Sequence, residues 1–511
     1  MKYSNFIKIN LTAFVLITHA VEKPNFILMM ADDLGWGELA YNGLNPHIKT
    51  PNLDEMSRNG IRFDRFYSAS AVCSPTRASV MTGRNPTRQG IANANAGHML
   101  PEEITIAEAV KTVGYTTGHF GKWHLGTLTT EIKDSNRGAP GVKSHFSPPW
   151  INGFDVCFST EAKTPTYNPY GDVTDDTPFG TYGTSYWNEK GERMNGITEN
   201  ITGDDSKVIM DRVIPFIQNA VASQTPFLSV IWFHTPHKPI SSSQEDMDLY
   251  PGLKGNAYYG CITALDRQVG RLRAELKTLG IADHTVVFFT SDNGPENGTP
   301  YYLGNFSGNK RSLHEGGIRV AGLMEWPEMV PEQRVTDFPA FTSDYYPTIL
   351  DIIGIKIKEQ TLPLDGISLL PFIEGKMTER DAPMVFKFSS QKALILGDYK
   401  LYKSNNSNWM LYNLANDVGE KNNVSDLEPD KHAELLAIMD EWDATSTVYK
   451  EGCCTPELTR DTVTHTISPK KVFTGSNQTV RQFTMQGKLL PKTSEAQNVI
   501  IRNRKKTLNR Q

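Results

Sequence analysis

Cysteine is scarce in this chain, five in 511 residues, too few for a disulfide framework to organise the fold. Cys453 and Cys454 are adjacent, while Cys157 and Cys261 stand alone; burial in a core is the ordinary fate of a free cysteine. A basic excess is also missing. Lysine and arginine number 52 against 57 aspartate and glutamate, a net charge of −5. That excludes a globally basic surface, so nucleic acid is not an expected partner and an anionic ligand needs a local basic pocket. No apolar run is long enough to span a bilayer, so no stable membrane insertion is expected. Internal repeats are absent. So are paired Cys or His residues at zinc-site spacing.

What is present is enough apolar content, 39%, for a large core. The length prior allows about three domains, which large α/β enzymes exceed. Residues 1–20 read as a signal peptide: Lys2 and Lys8, an apolar Leu11–Ile17, then Thr18-His19-Ala20. The expected location is therefore secreted or periplasmic. Sequons such as those at Asn200 and Asn423 matter only in a host that glycosylates.

Four apolar runs end in polar clusters. Asn25–Met30 leads to Asp32-Asp33, and Tyr115–Phe120 to Gly121-Lys122-Trp123-His124-Leu125-Gly126. Pro226–Phe233 leads to His234-Thr235-Pro236-His237, and Thr285–Thr290 to Ser291-Asp292-Asn293-Gly294. Continuous apolar runs mark strands buried on both faces. Ile262, Leu265, Val269, Leu272 and Leu276 recur at helical steps before Gly280, and Thr105–Glu108 is a capping box that opens a helix through Val113. Open α/β sheets collect their sites outside the carboxyl ends of strands. The expected fold is α/β, one large sheet sandwiched by helices over residues 21–385, followed by a smaller α+β subdomain over 386–450. In that subdomain Ala393–Tyr402 and Trp409–Leu414 read as strands, and Leu435, Met439 and Trp442 as the apolar face of a helix. Residues 451–511, with the basic cluster Arg502–Lys506, read as a tail or covering arm.

The organising stretch is Cys73-Ser74-Pro75-Thr76-Arg77, ending in Met81-Thr82-Gly83. The strand-like Ile61–Tyr67 precedes it. Pro75 suits a first helical position, which sets Cys73 just before a helix N-terminus, where free N–H groups favour an anion. Arg77 lies one turn on and can point the same way.

The string Cys-x-Pro-Thr-Arg-x-x-x-Met-Thr-Gly resembles the signature of the type I sulfatases, in the alkaline phosphatase superfamily. Further blocks match in the family's order up to about residue 450. They are Asp32-Asp33, Gly121–Gly126, His237 in His-Thr-Pro-His-Lys-Pro, Asp292-Asn293-Gly294, and Lys310 before Glu315–Val320. Ser343–Thr348, Leu364–Ser368 and Leu411–Leu414 follow. The resemblance implies that Cys73 is oxidised to formylglycine, an aldehyde, by a formylglycine-generating enzyme that reads Cys73, Pro75 and Arg77. It also implies hydrolysis of sulfate esters. Conversion of Cys73 would leave four cysteines.

Asp32, Asp33, Asp292 and the amide oxygen of Asn293 are hard donors that suit Ca²⁺ or Mg²⁺ better than zinc. The resemblance favours one Ca²⁺, with the converted Cys73 side chain completing its shell. Hydrated formylglycine is a geminal diol; one hydroxyl attacks sulfur, and loss of the other hydroxyl's proton expels sulfate. Arg77, Lys122 and Lys310 supply fixed positive charge. By analogy His237 is the acid toward the leaving group, alone or with Lys310, and His124 serves the second step or orients the diol. His119 and His234 read as core residues. The segment 158–190 departs from the family pattern. Its Tyr167, Tyr170, Tyr182, Tyr186 and Trp187 suit a carbohydrate-lined rim, or an ordinary polar loop. The leading expectation is a sulfatase of sulfated oligo- or polysaccharides. The alternatives are a phosphodiester or phosphonate monoester hydrolase of the same superfamily, and a sulfated-glycan binding protein without catalysis.

Overall fold

The computed structural model describes residues 23–357, 363–405, 407–446 and 458–460. The expected signal peptide, Cys453-Cys454 and most of the 451–511 arm lie outside them.

Asn25–Ala31 (β1) is the centre of a ten-stranded sheet, and every residue in it is buried. Its side chains alternate. Phe26, Leu28 and Met30 enter one hydrophobic layer, and Ile27, Met29 and Ala31 the other, as the two-residue period of a strand requires. The other strands are Ile61–Tyr67 (β2), Thr116–Lys122 (β3), Val156–Thr160 (β4), Trp187–Asn188 (β5), Phe227–Trp232 (β6), Thr285–Ser291 (β7), Arg319–Glu325 (β8), Arg334–Thr336 (β9) and Ala340–Phe341 (β10). The spatial order is β10-β2-β8-β7-β1-β6-β3-β4-β5, with β9 also on β2.

β1 runs parallel to β6 and β7, and β3 parallel to β6 and β4. Only β8 runs against β2 and β7, and β5 against β4. The carboxyl ends of β1, β2, β3, β6 and β7 therefore share one edge, where β8 begins. The sheet is mixed.

Helices cover both faces. Pro51–Arg58 (α1), Asp205–Ala222 (α4) and Asn256–Thr278 (α6) pack on one, with the short Gln244–Met247 (α5) beside α6. Cys73–Thr82 (α2), Ile106–Lys111 (α3), Tyr345–Ile352 (α8) and Leu370–Ile373 (α9) pack on the other. Glu315–Ile318 (α7) is a single turn before β8. The capping box read at Thr105 is present: Glu108 N donates to Thr105 Oγ1 at 3.2 Å and Thr105 N to Glu108 Oε2 at 2.8 Å. Ile355–Ile357 (β11) pairs antiparallel with Leu458–Arg460 (β16).

A four-stranded antiparallel sheet follows: Met384–Phe388 (β12), Gln391–Leu396 (β13), Tyr399–Lys403 (β14) and Met410–Asn413 (β15). The single strand read over Ala393–Tyr402 is in fact a hairpin. Gly397, at φ 58°, makes its turn, a conformation that glycine adopts without steric cost. Arg65 of β2 bonds Gly397 O at 2.6 Å and Asp398 Oδ1 at 2.7 Å, so the turn is fixed from the large sheet. One face of the small sheet packs on Tyr67, Val72, Leu313 and Phe341 of the large domain. The other packs on Leu435 and Met439 of Pro429–Thr445 (α10). Among the described residues, no helix is long and apolar enough to cross a membrane.

Candidate active site

The shared carboxyl edge of the sheet brings together residues far apart in sequence. Asp32 and Asp33 leave β1 fully buried, Asp33 with a left-handed φ of 67° that aspartate tolerates better than most residues. β2 leads into α2, and Cys73 is the first residue of that helix rather than the one before it; Pro75 stands third. Proline is tolerated there because first-turn N–H groups have no helical acceptor. All of α2 is buried, and Gly83, at φ 69°, ends it.

Arg77, one turn on, is wholly buried. Its Nη2 lies 2.6 Å from Asp292 Oδ2, its Nη1 donates to Lys122 O at 2.8 Å, and its guanidinium lies 5.1 Å from the Trp232 ring centre. Lys122, at the end of β3, donates to Asp32 Oδ2 at 2.7 Å. Gly121 before it can only be glycine, since a Cβ there would stand 1.9 Å from Trp232 O. Asp33 N donates to Asp292 Oδ1 at 3.1 Å and Asn293 Nδ2 to Asp33 Oδ1 at 2.7 Å. Lys310 Nζ reaches the same carboxylate at 2.7 Å and stands 3.4 Å from Glu296 Oε2. His237 Nδ1 donates to Lys238 O at 2.6 Å, leaving Nε2 3.6 Å from Asp33 Oδ2.

The charges explain the protonation states. Burial works to raise the Asp32 carboxyl, but Lys122, His237, Arg77 and Lys310 together hold it well below the usual range. Burial, with the Asp32 charge next to it, pushes Asp292 up. Burial takes His237 down to about 4 and His124 well below the usual histidine value. It pushes the Cys73 thiol up to about 12. An unconverted Cys73 in this setting is a thiol, which is not the nucleophilic form of cysteine.

Ligand atoms of Asp32, Asp33, Cys73 and His237 all lie within 4.8 Å of one another, so this group can hold a metal ion. Asp32 Oδ1 and Asn293 Oδ1 are buried with no hydrogen-bond partner among the described residues, a costly condition that a hard cation would relieve. Oxygen donors dominate, which fits calcium or magnesium. His237 also lies within this group, and both oxygens of Asp292 accept from Asp33 N and Arg77.

His124 sits off this group. Its Nε2 bonds Asn95 Oδ1 at 2.8 Å, and its buried Nδ1 has no partner among the described residues. His119 and His234 are core residues, as read. His119 packs on Trp123 and Trp232 and bonds Ser159, and His234 bonds Asp205 and Thr160.

The rim reading fails for three of its five aromatics. Tyr170, Tyr186 and Trp187 are buried. Tyr186 stacks on Phe158 with centroids 3.9 Å apart and donates to Asp205 Oδ1; Tyr170 donates to Met194 O. Their hydroxyls are satisfied inside the fold, so the rings seal the sheet edge. Tyr167 and Tyr182 remain half-buried. Asn95 and Glu296 were not singled out by the sequence, and no spacing rule marks them. Glu296 does stand in the same loop as Asn293, where Arg311 and Lys310 overcome its burial and take it down to about 2.

Residues 24–355 match the family model Sulfatase, and residues 304–442 match that of the N-sulphoglucosamine sulphohydrolase C-terminal region. N-acetylgalactosamine-6-sulfatase of Mus musculus is 31% identical over 454 residues, 83% of this chain and 81% of the relative. Steryl-sulfatase of Homo sapiens is 27% identical over 443 residues, 73% of each. The crystal structure of Ps i-CgsB in complex with k-i-k-neocarrahexaose superposes with a TM-score of 0.70 at 27% identity, covering 85% of this chain and 95% of that one. With one sulfatase model spanning most of the large domain and a mammalian sulfatase aligned along most of the length, the chain belongs to the sulfatase family and is a sulfuric ester hydrolase of alkaline phosphatase-like fold.

Proposed function

We propose that this enzyme removes sulfate from sulfated carbohydrates, using a formylglycine formed from Cys73 and one Ca²⁺ held by Asp32, Asp33, Asp292 and Asn293. The observation that carries this reading is the convergence of three buried cations, Arg77, Lys122 and Lys310, on the carboxylates of Asp32, Asp33 and Asp292. Such a site selects a compact anion in a mildly acidic protein. The bound ion supplies Lewis-acid neutralisation of the sulfate oxygens, and the hydrated aldehyde supplies the attacking hydroxyl.

The chain's own residues do the rest. Arg77, held by Lys122 O and Asp292, presents a guanidinium that cannot swing away. Lys310, salt-bridged to Asp33, keeps its proton and is the group that can give one to the leaving oxygen. His237, with its proton committed to Lys238 O, offers Nε2 as an acceptor beside it. His124, neutral in its buried setting, is the base for the second step, with its Nδ1 free of other partners among the described residues.

The carbohydrate class is supported by the N-acetylgalactosamine-6-sulfatase relative and by the carbohydrate-bound Ps i-CgsB neighbour. Tyr167 and Tyr182 remain available to stack on sugar faces. Export through residues 1–20 and conversion by a formylglycine-generating enzyme complete the reading. The test is sulfate release from a panel of sulfated glycans, para-nitrophenyl sulfate and phosphodiesters, with the aldehyde at Cys73 confirmed by peptide mass. Sulfated glycans should turn over fastest. Faster turnover of phosphodiesters than of any sulfate ester would overturn the proposal.

A further inference from the structure

Lys310 stands in a loop that the small C-terminal sheet grips. Resting on the sulfatase reading above, we propose that this subdomain sets the position of Lys310, and that Gln391, the first residue of β13, is the positioning residue.

Both ends of the Gln391 amide bind the loop. Its Nε2 donates to Arg311 O at 2.8 Å, and its Oε1 accepts from Leu313 N at 3.0 Å and from Tyr402 Oη at 3.2 Å. A backbone carbonyl can only accept and a backbone N–H only donate, so the amide has one orientation. Between these bonds the chain is strained. Arg311 has φ 74°, a left-handed conformation that is costly for a non-glycine residue and persists only where its surroundings impose it. Those surroundings include Gln391 on its carbonyl, Ala71 O, 2.9 Å from its N–H, and Glu296 Oε1, 2.7 Å from its guanidinium. The strained residue directly follows Lys310, whose ammonium meets Asp33 at 2.7 Å.

The ends of the loop are anchored to the same subdomain. Ser307 Oγ donates to Gly419 O at 2.6 Å, and Glu315 N to Glu420 Oε2 at 2.7 Å. Lys400 Nζ bridges Glu315 and Glu420 at 2.9 Å each, with all three side chains wholly buried. Gln391 itself is only half-buried, so truncating it removes the grip on the middle of the loop without opening a core.

The test compares Gln391→Ala, Lys310→Met and the double variant with wild type on para-nitrophenyl sulfate, with the aldehyde content of each confirmed. Gln391→Ala should lower kcat roughly tenfold with little change in KM, the scale expected for a misplaced reacting group. It should lower kcat no further in the Lys310→Met background, because a residue that acts through Lys310 has nothing left to position. Gln391→Glu keeps the acceptor for Leu313 N but sets a second oxygen against Arg311 O, so it should not rescue. An equal loss in both backgrounds would overturn the proposal. Amide hydrogen exchange over residues 308–314 needs no substrate and should quicken in Gln391→Ala; unchanged exchange would also overturn it. Faster exchange in a protein whose wild type releases no sulfate from para-nitrophenyl sulfate or from any sulfated glycan would keep the clamp and sink the proposed function instead.

Discussion

Arg77 Nη2 lies 2.6 Å from Asp292 Oδ2, and neither side chain is exposed to solvent. The pair ties the first turns of α2 to the end of β7, while Nη1 ties the same guanidinium to the end of β3 through Lys122 O. Three segments that carry site residues thus meet on one planar group. Arginine suits this position because its rigid fork can bond an acceptor on each side while its face lies on Trp232.

Removing one member of a buried ion pair leaves the other uncompensated. Arg77→Met should lower the unfolding free energy by about 3–5 kcal/mol. Arg77→Lys should recover only part of this, because a point charge cannot replace the fork. Urea denaturation of the purified variants checks it; unaltered stability in Arg77→Met would contradict the assignment.

Cys73→Ala should abolish turnover and leave the fold intact. Cys73→Ser should be nearly as inactive, because an alcohol cannot form a geminal diol. Circular dichroism and sulfate release measured together decide this, and full activity in either variant would exclude formylglycine at Cys73.

Chelation should remove activity, and Ca²⁺ should restore it. Asp32→Asn and Asp33→Asn should lose bound metal as well as turnover, read by elemental analysis of dialysed protein. In crystals grown with Ca²⁺, an ion should lie ~2.3–2.6 Å from the oxygens of both aspartates. An ion elsewhere, or metal content unchanged by both substitutions, would refute the site.

Glu38 gives stability a pH dependence. Burial raises its carboxyl from 4.5 to about 8, against the pull of N–H bonds from Tyr302 and Gly35. The folded chain therefore holds this proton more tightly than the unfolded chain. The stability it contributes is full below about 4.5 and is lost as the pH rises through about 8. Glu38→Gln cannot ionise, so its stability relative to wild type should increase from about pH 5 to about pH 9, by on the order of a few kcal/mol. Denaturation at the two pH values measures the gap, and a constant gap would rule the prediction out.

Much of this protein is written locally in its sequence. β1, β6 and β7 are legible as continuous apolar runs because a strand buried on both faces needs apolar residues at every position. The Thr105–Glu108 cap and the helix before Gly280 are legible because capping and the helical period involve neighbours in the chain. Cys73-x-Pro-Thr-Arg77 and the polar clusters after the strands pointed to the site for the same reason. Each is a short string whose chemistry does not depend on distant residues.

What only the tertiary structure decided depends on partners far away. Lys122 meets Asp32 across 90 residues, and Arg77 meets Asp292 across 215. The approach of His237 to Asp33 follows from neighbouring parallel strands, not from spacing. Tyr170, Tyr186 and Trp187 could as well have faced solvent by composition; Met194, Asp205 and Asp134 took up their polar atoms and drew them inward. Gln391, outside the strands read from the sequence, holds the residue after Lys310 because the subdomain docks where β8 begins. Local pattern sets which elements form and which residues can do chemistry. Which of them meet is set by the sheet order and by the burial that this order imposes.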